Sequence, residues 1–190
     1  TSKDLSEKQE VALLEINKSF EEKDVCLLHG VTSSGKTEIY IKLIEEELNK
    51  GKQVLYLLPE IALTTQIINR LSKYFGDKVG VSHSRMNNNE RVEVYNAVKE
   101  KDPNKRQYQI ILGTRSSLFL PFDNLGLIIV DEEHEPSFKQ YQSSPRYHAR
   151  DASIYLSKIH NAKVLLGSAT PSLETYYNCK NNKYSLVELN

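Results

Sequence analysis

The sequence predicts an α/β fold in which a parallel β-sheet is covered by helices on both faces. Short strand-like runs alternate with longer helical patterns along almost all of the 190 residues, and this alternation is typical of strand–helix–strand units. The strand-like runs are nearly continuous in Val, Ile and Leu, as strands buried on both faces require. We therefore expect one central sheet between two helical layers.

Residues 25–75 supply two strands and two helices. The glycines Gly51 and Gly76 directly follow the two helical patterns, where glycine commonly ends a helix because it tolerates a positive φ. The predicted order is strand VCLLH (25–29), helix TEIYIKLIEEELNK (37–50), strand QVLYLLP (53–59) and helix IALTTQIINRLSKYF (61–75).

The rest of the chain continues the alternation. Asn88 can cap a helix through Val98, and Pro171 with Ser172 can start a later helix. Segment 135–151, rich in Pro, Ser and aromatic residues, is predicted to be a loop that enters a helix near Tyr147. The strand candidates are VGVSH (79–83), YQIILGT (108–114), LGLIIVD (125–131), AKVLLGS (162–168) and the final run KYSLVELN (183–190).

Composition bounds the classes of function. The 25 basic and 25 acidic residues balance, so any nucleic-acid surface must be local. The two cysteines are far apart and Cys26 lies in an apolar run, which indicates neither a disulfide framework nor a zinc cluster. No apolar run approaches the roughly 18 residues of a membrane span, and the start is not a signal peptide. We expect a cytoplasmic protein, and a fragment of a longer one because the chain lacks an initial Met and ends after a strand-like run.

The stretch LLHGVTSSGKTEIYIKLI (27–44) joins the first strand to the following helix. It contains G-x-x-x-x-G-K-T, the P-loop pattern, in which glycines let backbone amides face phosphate oxygens at a helix N-terminus. Lys36 would reach the β- and γ-phosphates of ATP, and the Thr37 hydroxyl would bind Mg²⁺. The alternative is a glycine-rich turn that only connects strand to helix.

The run LGLIIVDEEHE ends a core strand in carboxylates. Asp131 is predicted to hold Mg²⁺ through its water shell, and Glu132 to orient or deprotonate the attacking water. A carboxylate aimed at water favours hydrolysis over phosphoryl transfer to a small acceptor. Ordinary solvated loop residues are the alternative.

The run LLGSATPS follows another core strand. Ser168 and Thr170 could link the nucleotide site to a moving neighbour, because ligands bind at the carboxyl ends of parallel strands. A simple strand-to-helix turn explains the same residues equally well.

The motifs DEEH and GSAT resemble those of superfamily 2 helicases, two-lobed nucleic-acid motors with RecA-like folds. Three longer stretches are closely similar to the replication-restart helicases of that superfamily: LLPEIALTTQ (57–66), GTRSSLFLPFDNLGLIIVDEEHE (113–135) and RYHARD (146–151). The resemblance runs from about Leu5 to about Tyr177. It implies that residues 1–190 are a helicase ATP-binding domain, RecA-like lobe 1, of an ATP-dependent DNA helicase. Such an enzyme moves 3′ to 5′ and acts at abandoned forks so that the replisome can be reloaded.

The resemblance also implies roles for matching positions. Asp131 and Glu132 would be metal partner and water activator, and His134 with Ser168 and Thr170 would couple the nucleotide state to DNA. Gln9 fits the place of an adenine contact, although a solvated helix glutamine is the alternative. The triphosphate and magnesium would be held by Gly30, Val31, Thr32, Ser33, Ser34, Gly35, Lys36 and Thr37. Such helicases usually have glycine where this chain has Ser33, which restricts the loop dihedral angles.

DNA contacts are expected from loops on the rim of the sheet opposite the nucleotide site. Thr114 and Arg115 follow a strand, and Thr64 and Thr65 start a helix, so hydroxyls, amides and a guanidinium could hold phosphates without reading sequence. Ordinary caps and surface residues are the alternative. His83 and Arg85 follow a further strand and could border either site.

Segment 135–151 resembles the aromatic-rich loop by which related helicases sense single-stranded DNA. Aromatic faces stack on any base, and basic residues follow the backbone. The alternative is that some rings pack against the core. The residues expected to bind DNA are Phe138, Lys139, Tyr141, Arg146 and Tyr147, with Arg150 among the interleaved basic residues.

The implied partners are single-stranded and forked DNA and the primosome and replication-restart proteins, with no membrane. A second lobe, which supplies an arginine to the transition state, and a zinc-binding insertion are expected only outside this chain, so we expect the lobe alone to be inactive as a motor. One alternative is another superfamily 2 translocase, of repair or restriction. A small-molecule kinase would not explain GSATPS, and a non-catalytic binding module would not explain the intact Lys36, Asp131 and Glu132.

Overall fold

The computed structural model describes residues 4–31, 35–138 and 148–190. Its centre is a sheet of seven strands in the order β3-β4-β2-β5-β6-β1-β7, and every neighbouring pair is parallel. The predicted α/β fold with a parallel sheet is confirmed. The strands are β1 Val25–Gly30, β2 Gln53–Leu57, β3 Val79–Ser82, β4 Ile110–Gly113, β5 Leu125–Asp131, β6 Lys163–Ser168 and β7 Ser185–Leu189.

Helices connect and cover the strands. The first begins at a capping box: Ser6 accepts from the Gln9 backbone N–H while the Gln9 side chain accepts from the Ser6 N–H. The pattern S-x-x-Q is the sequence signal for this helix. Gly51 and Gly76 both have positive φ, 74° and 55°, as expected after helix ends. The helices are α1 Glu7–Glu22, α2 Lys36–Asn49, α3 Thr65–Phe75, α4 Asn88–Lys99, α5 Ala149–His160 and α6 Leu173–Lys180.

Three helix starts differ from the sequence-based boundaries. The predicted cap Asn88 is instead the first residue of α4, because the Asn87 side chain accepts from the Glu90 N–H and caps the helix one residue earlier. The helix predicted from Ile61 begins at Thr65, because a 3₁₀ helix, Glu60–Ala62, comes first and Thr64 then caps α3 through the Ile67 N–H. The helix predicted near Tyr147 begins at Ala149, where the His148 ring nitrogen accepts from the Arg150 N–H.

Strand side chains alternate between two apolar layers. In one layer Leu28 and Ile129 pack with residues of α1, α2 and α3, among them Ile16. In the other layer Leu27 and Ile128 pack with residues of α4 and α5. The sheet is therefore buried on both faces, which accounts for the unbroken aliphatic runs of its strands.

The carboxyl ends of all seven strands share one edge of the sheet. β6 lies between β5 and β1, so that Gly167 pairs with Asp131 and Ser168 pairs with His29. The expectation that DNA-binding loops lie on the rim opposite the nucleotide loop is therefore wrong for Thr114. This residue directly follows β4 at the same edge, because in a sheet with only parallel strands the carboxyl ends of all strands lie at one edge.

Candidate nucleotide site and nucleic-acid interface

A cavity of about 530 Å³ opens at the carboxyl ends of β1, β5 and β6. Its volume falls in the range of small-molecule sites, about 300 to 1,000 Å³. Residues predicted separately for phosphate, metal, water and coupling roles meet here. The lining residues are Gly35, Lys36, Thr37, Glu38, Arg70, Asp131, Glu132, His134, Ser168, Ala169 and Thr170. Glu38 and Arg70, which form an ion pair, were not predicted.

Lys36 is anchored to the backbone of its own loop. Its ammonium donates to the carbonyl oxygens of Gly30 at 2.7 Å and Val31 at 3.0 Å. Burial lowers the pKa of Lys36, and the nearby Asp131 and Glu132 oppose that shift. The predicted loop residues Thr32, Ser33 and Ser34 lie outside the described residues.

Gly35 occupies a conformation that favours glycine. Its φ is +87°, and a Cβ there would overlap with the side-chain amide of Gln9. That amide donates to the Gly35 carbonyl oxygen at 3.1 Å. Gln9 thus joins the first turn of α1 to the P-loop, and its predicted contact with adenine stays a prediction.

Asp131 is held by two buried tyrosines. Its Oδ1 accepts from the Tyr40 hydroxyl at 2.9 Å and its Oδ2 from the Tyr56 hydroxyl at 3.3 Å. The two rings meet edge to face, with centroids 5.5 Å apart. Burial raises the pKa of Asp131, while the Tyr40 hydrogen bond and the charge of Lys36 oppose that shift. Sequence reasoning missed both tyrosines, although a tyrosine in an apolar run signals a buried hydroxyl that needs a partner.

Glu132 follows in a left-handed backbone conformation, with φ +52°. A non-glycine residue pays about 1–3 kcal/mol for such a conformation and keeps it only where surrounding contacts determine it. Its backbone oxygen accepts from the Glu135 N–H at 2.9 Å, which closes the turn. Glu132, the residue in this conformation, also lines the cavity.

Among the three predicted coupling residues, Ser168 contacts both of the others. The Nδ1 atom of His134 lies 2.7 Å from the Ser168 hydroxyl, and that oxygen also accepts from the Thr170 N–H at 3.0 Å. A second ring, that of His29, lies 3.1 Å from the Ala169 carbonyl oxygen. The end of β6 is therefore bonded to both the DEEH turn and β1.

The donor set suits a triphosphate with magnesium. Thr37 and Asp131 offer a hydroxyl and a carboxylate, the hard oxygen ligands that Mg²⁺ prefers, in the same cavity as the Lys36 ammonium. Gly35 and the following helix N-terminus provide the backbone setting in which anions bind. The residues present fit ATP and Mg²⁺.

The predicted DNA-binding threonines differ in exposure. Thr64 and Thr65 are exposed at the start of α3, where Thr64 accepts from the Ile67 N–H at 3.4 Å. Thr114 is only 2% exposed, and its N–H donates to the Ser82 carbonyl oxygen at 3.1 Å. Its hydroxyl and amide are thus unavailable to phosphate in this arrangement. Arg115 begins a half-buried 3₁₀ helix, Arg115–Phe119.

A second cavity, of about 310 Å³, lies beside the start of α3. Thr65 shares it with His83 and Arg85, the residues that the sequence allowed to border either site. The structure places both beside the predicted DNA contact, while neither lines the nucleotide cavity.

The structure contradicts two expectations for the aromatic-rich segment. Phe138 is 1% exposed and packs in the core layer of α4 and α5, so a base cannot stack on its ring in this arrangement. Arg150 is 6% exposed and pairs with Glu133 and Asp151 instead of facing solvent. Phe138 thus follows the alternative that some rings pack against the core. The predicted DNA contacts Lys139, Tyr141, Arg146 and Tyr147 lie outside the described residues.

No helix in the described ranges 4–31, 35–138 and 148–190 is long and apolar enough to cross a membrane.

Residues 6–178 match the DEAD/DEAH box helicase family. The Replication restart protein PriA of Bacillus subtilis (strain 168) is 43% identical over 187 residues, which cover 97% of this chain and 22% of that protein. Its counterpart in Haemophilus influenzae is 50% identical over 166 residues, which cover 87% of this chain and 22% of that protein. These identities confirm the resemblance to replication-restart helicases, and the chain spans about a quarter or less of these relatives.

Solved structures share the architecture. That of RecG bound to a three-way DNA junction matches with a TM-score of 0.68 at 20% identity, covering 100% of this chain and 25% of that chain. A likeness at this identity concerns the fold alone. It agrees with the RecA-like architecture that the motifs imply.

Proposed function

Because the chain belongs to the DEAD/DEAH box helicase family, we propose that residues 1–190 are the ATP-binding domain, RecA-like lobe 1, of a larger ATP-dependent DNA helicase. The helicase moves 3′ to 5′ on single-stranded DNA and acts in primosome assembly and replication-fork restart. One observation carries the proposal: Lys36, Thr37, Asp131 and Glu132, from widely separated parts of the chain, line a single cavity.

Binding of ATP uses the P-loop. Lys36 exchanges its bonds to the Gly30 and Val31 carbonyl oxygens for the β- and γ-phosphate oxygens. Thr37 and Asp131 would hold Mg²⁺, Asp131 through water. When bound, Mg²⁺ neutralises charge on the phosphates.

Hydrolysis depends on the turn after β5. Tyr40 and Tyr56 fix the orientation of the Asp131 carboxylate, and Glu132 accepts a proton from the attacking water or orients it. Both carboxylates lie near Lys36, so the Lys36 ammonium and the two carboxylates attract one another before ATP enters.

Coupling to DNA uses the same edge of the sheet. His134, Ser168 and Thr170 form a bonded chain at the wall of the cavity, and a change at the γ-phosphate reaches the end of β6 through it. Thr64, Thr65, His83 and Arg85 provide polar groups for a sugar-phosphate backbone beside α3.

The remaining parts of the proposal concern the longer protein. The relatives are roughly four times as long as this chain, and a second RecA-like lobe would supply an arginine to the transition state, an effect of about 10³-fold or more. Its partners would be single-stranded and forked DNA and the primosome and replication-restart proteins, in the cytoplasm. Any zinc would belong to the part of that protein beyond these residues.

The test is ATP hydrolysis by the full-length protein with and without single-stranded DNA, followed by displacement of a strand from forks with either a 3′ or a 5′ tail. Lys36→Ala should abolish DNA-stimulated hydrolysis and displacement. Lys50→Ala, on an exposed lysine that pairs only with Glu47 in the described contacts, should change neither. Hydrolysis that ignores DNA would contradict the helicase assignment, and displacement only from 5′ tails would contradict its direction.

A further inference from the structure

We propose that Glu133 and Arg150 are positioning residues for ATP hydrolysis, because their buried ion pair holds the turn that presents Glu132 and His134 to the nucleotide cavity. The inference rests on the proposed ATPase function of that cavity. Both side chains lie behind the cavity wall, and no role was predicted for either at that place.

Glu133 is fully buried, with 0% exposure, yet its carboxylate is surrounded by donors. Its Oε2 accepts from the Thr175 hydroxyl at 2.9 Å and the Ser172 hydroxyl at 3.2 Å, and Arg150 Nη1 lies 3.4 Å away. Its Oε1 accepts from the Ser172 N–H at 2.8 Å. Because Ser172 caps α6, the carboxylate also faces a helix N-terminus, where negative charge is favoured.

Arg150 completes a junction of three segments. It lies in the first turn of α5 and is 6% exposed. Besides Glu133, its guanidinium donates to the Ser172 hydroxyl at 2.8 Å and to Asp151 at 3.2 Å. The pair therefore ties the turn after β5 to the first residues of both α5 and α6.

Glu133 lies in the chain between two residues of the cavity wall, so the junction affects both of them. Its neighbours Glu132 and His134 both line the cavity, and Glu132 has a φ of +52°. The Glu133 N–H also donates to the Gly167 carbonyl oxygen at 3.1 Å. A residue fixed through both its main chain and its side chain determines where its neighbours point. The left-handed conformation of Glu132 is the kind that persists only when such contacts impose it.

Stability alone does not explain a buried ion pair at this place. The desolvation of two charges largely cancels their attraction, so apolar side chains of similar volume often stabilise a core as well or better. Directional bonds do what apolar packing cannot: they fix the angle of the turn. Outer-shell groups that orient metal-ligating side chains typically change metal affinity or activity about 10- to 100-fold when mutated, and we expect an effect of this order for groups that orient Glu132.

The experiment compares ATP hydrolysis by full-length Glu133→Gln, Arg150→Lys and the double variant. Each substitution keeps the approximate size of the side chain. Glu133→Gln removes the negative charge of the pair, and Arg150→Lys removes the planar fork of donors. The matched control is Arg106→Lys, on another arginine with 6% exposure, which donates to the Glu100 carbonyl oxygen at 2.9 Å. Melting temperatures and the affinity for a fluorescent ATP analogue are measured alongside kcat and KM.

We expect kcat to fall about 10-fold or more in both single variants, with KM and analogue affinity within about twofold, because Lys36 and Thr37 still hold the phosphates. The double variant should lose no more than the worse single variant, since the two residues act as one unit. Arg106→Lys should lower the melting temperature without this loss of kcat. If Glu133→Gln does not fold, Arg150→Lys decides alone.

Three results would overturn the inference: kcat within about twofold of the wild type, losses that multiply in the double variant, or losses that merely follow the melting temperature as in Arg106→Lys. Failure of the proposed function looks different. In that case the wild-type protein itself shows no ATP hydrolysis that Lys36→Ala abolishes.

Discussion

The hydroxyl of Tyr40 donates to Oδ1 of Asp131 at 2.9 Å, across 91 positions of the chain. The same hydroxyl occupies the space that a Cβ at position 167 would need. It fits there because Gly167 has no side chain. A P-loop helix and a carboxylate strand are thereby joined directly behind the cavity. Asp131 is oriented by α2 before any ligand enters.

Tyr40→Phe should therefore weaken the binding of magnesium more than the binding of nucleotide. Loss of the hydroxyl leaves Asp131 with one fewer donor and more rotational freedom, and outer-sphere changes of this type typically cost about 10-fold in metal affinity or activity. The measurement is the Mg²⁺ concentration that half-saturates ATP hydrolysis and, separately, binding of a fluorescent ATP analogue. Tyr155→Phe, at a 70% exposed tyrosine, is the control. Equal Mg²⁺ requirements in both variants would contradict the role given to Tyr40.

Gly35→Ala should destabilise the chain more than Gly51→Ala. Both glycines have positive φ, +87° and +74°, so both substitutions carry the backbone cost of about 1 kcal/mol or more. At Gly51 no atom of the described residues other than its chain neighbours lies within 4 Å of the added methyl group, whereas at Gly35 it would overlap with the Gln9 amide. Urea unfolding of each variant gives the difference, and Gly35→Ala should also lower nucleotide affinity. Equal losses would indicate that Gln9 moves aside freely.

Phe138→Ala should reduce the free energy of unfolding by about 3–5 kcal/mol, as expected for a large ring removed from a core. Phe138→Leu keeps apolar volume and should cost less, while leaving DNA-stimulated ATP hydrolysis intact. Denaturant unfolding and the DNA-stimulation ratio measure the two effects separately. Should Phe138→Leu retain stability but lose DNA stimulation, the ring would have to leave the core to contact DNA.

Lowering the pH should reduce the free energy of unfolding in part through His148. Burial and the positive charge of Arg150 lower the pKa of His148, while Asp151, Glu133 and Glu174 oppose them. The unfolded state binds a proton near pH 6.5 and the folded state resists it, so the contribution of His148 is complete above about pH 6.5 and is lost as pH falls through the lower folded pKa.

His148→Asn is the variant that tests this dependence, because an asparagine oxygen can still cap α5 but does not titrate. The free energy of unfolding of wild type and variant is compared at pH 7.5 and at pH 5.5. The variant should lose less stability on acidification than the wild type. Identical losses would show that His148 does not titrate differently in the folded and unfolded states.

Most of the sheet and the convergence of the main site residues could be predicted from local patterns. Aliphatic runs identified the strands, and the rule that ligands bind at strand carboxyl ends placed Lys36, Asp131 and Ser168 together. The same rule applied to Thr114 would have avoided the wrong rim. Its burial could not be foreseen, because it depends on tertiary contacts such as the hydrogen bond of its N–H to Ser82 across β3 and β4.

The supporting contacts could not be predicted in the same way. Tyr56 meets Asp131 across 75 positions and Glu133 meets Thr175 across 42, and both contacts require the strand order β2-β5-β6-β1. Alternation of strands and helices predicts parallel strands without giving their order. Phe138 illustrates the related difficulty that an aromatic residue in a polar segment can face either the core or a ligand.

The bonds from Tyr40 to Asp131 and from Glu133 to α6 also have a consequence for folding. They join segments far apart in the sequence, so their loops close only after the middle of the sheet has assembled. A partly folded chain would possess the P-loop helix but no oriented carboxylate beside it. Nucleotide with magnesium would then bind, and stabilise by mass action, only the completed fold.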